Sequence, residues 1–311
     1  MSLIILSDEL RCEVDTPGAE VLHLIRRSDG REILWSGDPA YWNRRSPILF
    51  PFVGAVRDKQ YRYEGKTYTI GQHGFARDME FGLKELEADE VWFHLEETEE
   101  TLAKYPFPFR LQAGYLTGAN VLYVKWIVIN PSEDKDLYFS IGAHPAFAIP
   151  QLAGHALRLY DQEGKPIEQF ENRIFGTGGC VTNRTEIMKT PDGYLPLSES
   201  LFDNDALVLE NRQVSKIDLL EPIPGSTDGS LRPLLTVEFD APVVGIWSPP
   251  HKNAPFVCIE PWNGRCDAED FTGELQDRPY EIRLAPGKEF FDRYMITVHE
   301  PTDFEPEMVT R

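Results

Sequence analysis

Two of the seven histidines stand in settings that leave room for a ligand: His73 within Gln72 to Arg77 (QHGFAR), and His144 within Gly142 to Phe147 (GAHPAF). Each imidazole lies among small residues with an aromatic close by, and glycine or alanine beside a polar group lets another molecule approach. A third segment, Phe256 to Gly264 (FVCIEPWNG), puts Glu260 at the end of an apolar run and Pro261 after it. Burial raises the pKa of a carboxylate placed there unless partners hold its charge, and that poises a general base near neutrality. Trp262 offers an apolar ring face of the kind that packs on a sugar. A histidine and a carboxylate on opposite sides of a substrate suffice for paired proton transfer. Taken singly, each of these residues reads more commonly as structural: a satisfied core imidazole, a strand-end ion pair, a rim tryptophan, and arginines (Arg57, Arg77) that neutralise surface carboxylates.

The elements that must position these groups read as strands. If Tyr138 to His144 is extended, Ser140, Gly142 and His144 share one face and Phe139, Ile141 and Ala143 the other. One face then packs inward, and the opposite face is small, polar and open until Pro145 ends the strand. Leu122 to Asn130, Leu234 to Phe239, Phe256 to Glu260 and Phe290 to Val298 are short stretches rich in β-branched and aromatic residues. Val91 to Leu95 favours a strand over a helix. Tyr61 to Ile70 reads as a hairpin turning at Glu64, Gly65 and Lys66. The best helix is Thr98 to Tyr105, with Thr98 as N-cap, stopped by Pro106 and Pro108. Glycine (23) and proline (24) recur at short intervals without a linker or an internal repeat. The fold class expected is mainly β, a sandwich or barrel with few short helices. Residues 1–311 read as one domain, with a loop insertion at Pro222 to Arg232 and a mobile tail from about Glu300.

Bulk properties narrow the partners. Against 31 basic residues stand 51 acidic ones, a formal charge of −20 that repels nucleic acid and anionic membrane surfaces. Cys12, Cys180, Cys258 and Cys266 are scattered without the spacing of a zinc site or a disulfide framework. No apolar run approaches a membrane span and no signal peptide opens the chain, so a reducing cytoplasm is expected. Neither GxGxxG nor HExxH is present, and no cofactor or metal is expected.

In order along the chain, His-Gly-Phe-Ala-Arg at 73–77, Gly-Ala-His-Pro-Ala-Phe at 142–147 and Ile-Glu-Pro-Trp at 259–262 resemble the aldose 1-epimerase family, in its LacX-like branch. Phe50 to Gly54 (FPFVG) and Leu284 to Lys288 (LAPGK) extend the resemblance over most of the chain. It implies a large antiparallel β-supersandwich of the galactose-mutarotase type and an isomerase that interconverts sugar anomers without a cofactor. It also implies that His144 is the general acid and Glu260 the general base, with Arg57, His73 and Arg77 on sugar oxygens. An acidic substrate contact is expected within Leu201 to Leu209: Asp205 by best match, with Asp203 the alternative. The sequence departs from the galactose-specific branch, where His-Gly-Gly is usual, and the His-Gly-Phe-Ala-Arg string also occurs in relatives resembling hexose-6-phosphate mutarotases. The substrate is therefore a free or a phosphorylated aldose, the latter needing basic residues such as Arg57, Arg77 and Lys59. Competing readings are a non-catalytic sugar-binding or sugar-sensing protein and a glycosidase, which needs a second carboxylate. A monomer or homodimer is expected.

Overall fold

The computed structural model describes residues 1–226 and 228–301. Strand accounts for 48% of it and helix for 7%. Two large antiparallel sheets dominate. The nine-stranded sheet runs in the order Tyr194–Pro196, Ala156–Tyr160, Lys216–Pro222, Leu231–Phe239, Glu289–Val298, Val121–Ile129, Arg110–Gly118, Glu90–Glu96 and Gly82–Leu86. The eight-stranded sheet is built from β1 (Ile48–Leu49), β2 (Ile141–Ala143), β3 (Ala146–Ala148), β4 (Gln169–Phe175), β5 (Val181–Lys189), β6 (Leu207–Leu209), β7 (Val243–Trp247) and β8 (Phe256–Asn263). Its order is β5-β4-β6-β7-β8-β2-β1, with β3 also paired to β8.

Alternation in the nine-stranded sheet, set against the wholly buried β8, explains how the sheets meet. Val121–Ile129 buries every second residue, and its Val124 and Trp126 join Val237 and Ile296 in one core cluster with Val244, Ile246, Val257 and Ile259 of the site sheet. Each aliphatic side chain so buried contributes about 1.5–3 kcal/mol. The opposite face of β8 carries Cys258, Glu260 and Trp262, where Cys258 and Trp262 belong to two smaller buried clusters and Glu260 is the acidic residue between them.

Local expectations hold where the chemistry is short-range. The helix α1 (Glu99–Lys104) is capped by Thr98, whose Oγ1 accepts from the Thr101 amide at 3.2 Å while its own amide donates to Thr101 Oγ1 at 2.8 Å. The hairpin pairs Gln60–Tyr63 with Lys66–Thr69 across Glu64 and Gly65, both at positive φ as a two-residue turn requires. The segment expected as a loop insertion is the connection between two paired strands, Lys216–Pro222 and Leu231–Phe239.

Two expectations change. Tyr138 to His144 is not one strand: Leu137–Phe139 pairs with Ile282–Leu284, and Ile141–Ala143 pairs separately with β8 and β1. Nor is its polar face open, because Ser140 is fully buried with its Oγ accepting from the Val53 amide, and Trp262 lies over Gly142. Of the tail expected from about Glu300 only two residues are described: Ser28 Oγ donates to the Glu300 carboxylate and Arg232 to the Pro301 carbonyl. Residues 302–311 lie outside the described residues.

Candidate active site

β8 is the platform. On one side it pairs β3 through Cys258 and β2 from Trp262 onward, with no regular ladder between them. His144 and Pro145 fill that gap, which sets the imidazole opposite Glu260: His144 Nε2 and Glu260 Oε2 are 3.2 Å apart. Glu260 is therefore a mid-strand residue rather than a strand end, since β8 runs through Pro261 to Asn263. Trp262 fits because its two neighbours lack side chains. A Cβ on Gly142 would lie 2.7 Å from Trp262 Cδ1, and one on Gly245 2.5 Å from Cη2 and Cζ2.

His144 lines a cavity of about 430 Å³ together with His73, Arg77, Asp205, Trp262, Trp42, Arg44, Gln72 and Trp247, and Glu260 lies behind it, outside the lining. Trp42 stacks on the His144 ring at 4.6 Å between centroids, Trp247 meets it edge-on at 5.4 Å, and His73 at 5.6 Å. Three aromatic rings thus fix the plane of the imidazole.

Burial governs the proton positions. Glu260 is 1% exposed. Its carboxyl is pushed well above the ordinary range by burial and by the nearby Asp205 charge, the Trp262 indole N–H opposing weakly without completing a hydrogen bond. The His144 imidazole is pushed down to about 3 by burial, with Arg77 and Arg44 adding to the effect. Both shifts favour the uncharged forms, a protonated carboxyl and a free imidazole, over an ion pair. His144 Nδ1 and Glu260 Oε2 are buried without a hydrogen-bond partner among the described residues.

His73 is held differently. It sits at φ 65°, and Gly74 follows at φ 69° with its α-carbon against the Phe50 carbonyl, where a Cβ would come within 2.3 Å. The Gly54 amide donates to His73 Nδ1 at 3.1 Å. Nδ1 is thus an acceptor, and because burial, His144 and Arg77 push the ring pKa well below 6.5, it is neutral with its proton on Nε2. His73 is a fixed hydrogen-bond donor.

Asp205 is at the cavity mouth at φ 76°, its Oδ1 accepting from the Ala206 amide at 2.9 Å, and burial of the carboxylate raises its pKa. Asp203 points elsewhere and pairs with His251 at 3.4 Å. Arg77 donates from Nη2 to the Gln72 carbonyl at 2.9 Å, and its buried Nε makes no hydrogen bond among the described residues but lies 3.9 Å from Asp78 Oδ2. Arg44 donates to the Arg77 carbonyl at 3.2 Å and pairs with Asp78.

Arg57 departs from expectation. It lines a separate hollow with Asp267 and Phe271, donating from Nη1 to the Phe271 carbonyl at 3.1 Å. A turn follows it, with Asp58 and Lys59 both at positive φ. Trp42, Arg44 and Gln72 were missed because they sit in irregular segments without periodicity, and Trp247 because it ends an otherwise ordinary strand. His144, Cys258 and Glu260 each bring one potential metal-ligand atom within 4.8 Å of the others, the single such group among the described residues.

The antiparallel β-supersandwich is the fold of galactose mutarotase-like proteins. The family model for aldose 1-epimerase matches residues 2–293, and the chain belongs to that family, in its LacX-like branch. It is 30% identical over 307 residues to the chromosomal and plasmid LacX proteins of Lactococcus lactis, covering 96% of this chain and 99% of each relative. A galactose mutarotase related enzyme from Lactobacillus acidophilus superimposes with a TM-score of 0.86 at 32% identity, over 97% of this chain and 99% of that one. A galactose mutarotase-like protein from Lactobacillus casei gives 0.84 at 29% identity, over 96% and 100%. The class of activity is thus an isomerase of the mutarotase type acting on a sugar.

Proposed function

We propose that the protein interconverts the α and β anomers of an aldose by opening and reclosing the hemiacetal ring between His144 and Glu260. The observation that carries this reading is the 3.2 Å approach of His144 Nε2, whose ring lines the cavity, to the buried Glu260 Oε2 behind it. The C1 hydroxyl and the ring oxygen are bonded to the same carbon, so two protein groups in contact can reach both. One shared proton is the required inventory: one group must start protonated and the other free.

As sugar hydroxyls enter and solvate the pair, the proton crosses from Glu260 to His144. Glu260 takes the C1 hydroxyl proton while His144 protonates the ring oxygen, and the C1–O5 bond breaks. The aldehyde turns about C1–C2, and the roles reverse on the opposite face. Each transfer contributes about 10²–10⁴-fold. Both protons are handled by protein groups, so the scheme needs no cofactor. His73 Nε2–H and Asp205 fix sugar hydroxyls, and Trp262 supports the ring face. We place residues 1–311 in one functional unit, working in the cytoplasm. The absence, among the described residues, of a helix long and apolar enough to cross a membrane agrees with that, as do four unpaired cysteines.

A phosphorylated aldose is favoured as substrate by one observation. Arg44 and Arg77 both face the cavity, close enough that Arg44 lowers the Arg77 pKa after burial does, in a chain of net charge −20. A dianion would relieve that repulsion. The test is polarimetry on freshly dissolved α-glucose beside α-glucose 6-phosphate. Acceleration of either supports mutarotation, and a preference for the phosphate that Arg77→Ala abolishes supports the second reading. Sugar binding without acceleration of any aldose would instead make the protein a sugar-binding or sensing module.

A further inference from the structure

We propose that the buried cluster behind the cavity wall, His144, Cys258 and Glu260, is also a binding site for a thiophilic divalent cation, zinc above all. Cys258 and Glu260 are two apart on β8 and share its site face, and His144 projects from the gap beside them. Their ligand atoms lie within 4.8 Å of one another, and two of them, His144 Nε2 and Glu260 Oε2, are 3.2 Å apart. A tetrahedral zinc with bonds of about 2.0–2.3 Å sets its ligands roughly 3.3–3.8 Å from each other. Closing the widest gap therefore needs a side-chain shift on the order of 1 Å.

The buried Glu260 Oε2 has no hydrogen-bond partner among the described residues, which leaves it free to coordinate. One sulfur, one nitrogen and one oxygen suit zinc, cobalt or cadmium, whereas magnesium and calcium demand oxygen donors. The fourth ligand is water or a sugar hydroxyl that arrives past His144, which lines the cavity. The protons balance simply. Neutral His144 binds through a lone pair, and the Cys258 thiol and Glu260 carboxyl each release a proton to solvent, so affinity falls as pH falls. Occupancy withdraws both members of the proton-transferring pair and blocks anomer interconversion.

Binding is independent of the function proposed above, and only the inhibition rests on it. The experiment titrates cobalt(II), then zinc, into wild-type protein, Cys258→Ser and Cys258→Ala, with folding of each variant checked by circular dichroism. Wild type is expected to develop a near-ultraviolet thiolate-to-cobalt band that zinc displaces. Both variants lose the band and at least about 100-fold in zinc affinity, the upper end of what loss of a supporting contact alone costs a metal site. They keep wild-type mutarotation but resist zinc, while inhibited wild type recovers with a chelator. Absence of the band, or zinc inhibition undiminished in both variants, overturns the site. A band in a protein that moves no anomer leaves the site standing and removes the mutarotase reading.

Discussion

Gly245→Ala isolates the packing that holds the sugar platform. Gly245 is buried opposite Glu260 on β7, outside the left-handed region, so alanine strains no backbone there. The only consequence is steric: the new Cβ lies 2.5 Å from both Cη2 and Cζ2 of Trp262. An ordinary carbon contact is about 3.5–4.0 Å, so the indole must retreat by roughly 1 Å. It cannot retreat towards β2, where Gly142 already admits Cδ1. Overpacking of this kind costs about 1–3 kcal/mol. Because Trp262 is two residues from Glu260 on the same face, its displacement also misplaces the base, and a misplacement of about 1 Å costs on the order of 10²-fold in rate. Urea unfolding and polarimetric kcat/KM measured on one preparation check both numbers. Wild-type stability together with wild-type kcat/KM would refute the claim that the two glycines exist to seat Trp262.

Asp205→Asn is expected to raise KM about 10–100-fold through loss of a charged hydrogen bond to a sugar hydroxyl, while Asp203→Asn leaves steady-state kinetics unchanged. His73→Asn tests the neutral imidazole. Asparagine tolerates the φ of 65° and can accept from the Gly54 amide in place of Nδ1. Burial holds the folded pKa of His73 well below 6.5, so below pH 6.5 the unfolded chain takes up a proton that the folded one refuses. Stability is thus present above pH 6.5 and falls on acidification, by up to about 1.4 kcal/mol per pH unit for this group. Urea melts at pH 7, 6 and 5 should show a shallower loss in His73→Asn; parallel curves would mean that His73 is not buried neutral.

What was legible in the sequence was whatever depends on local chemistry. β-branched runs marked the strands, Thr98 and Pro106 bounded the helix, and His144, Glu260 and Trp262 stood out because polar groups beside glycine or proline in apolar runs are costly. Three things required the sheet itself. Glu260 looked like a strand end because Pro261 follows it, yet β8 continues because its ladder is already interrupted on the side where His144 enters. Gly142 read as an opening for ligand and proved to be a seat for Trp262, a cross-strand relation with no trace along the chain. Arg57 carried the expected charge, but it lines another hollow. Arg44, from an irregular segment, shares the cavity with Arg77.

The central claim is that one proton shared between His144 and Glu260 does the chemistry. Its most direct test is the first-order rate at which freshly dissolved α-aldose reaches its equilibrium rotation, with wild type, Glu260→Gln and His144→Ala at equal concentration and native circular dichroism. Each substitution is predicted to cut the catalysed rate by about 10²–10⁴-fold, and the double variant little further, because the two groups act as one unit. Wild-type rates in both folded variants would contradict the account.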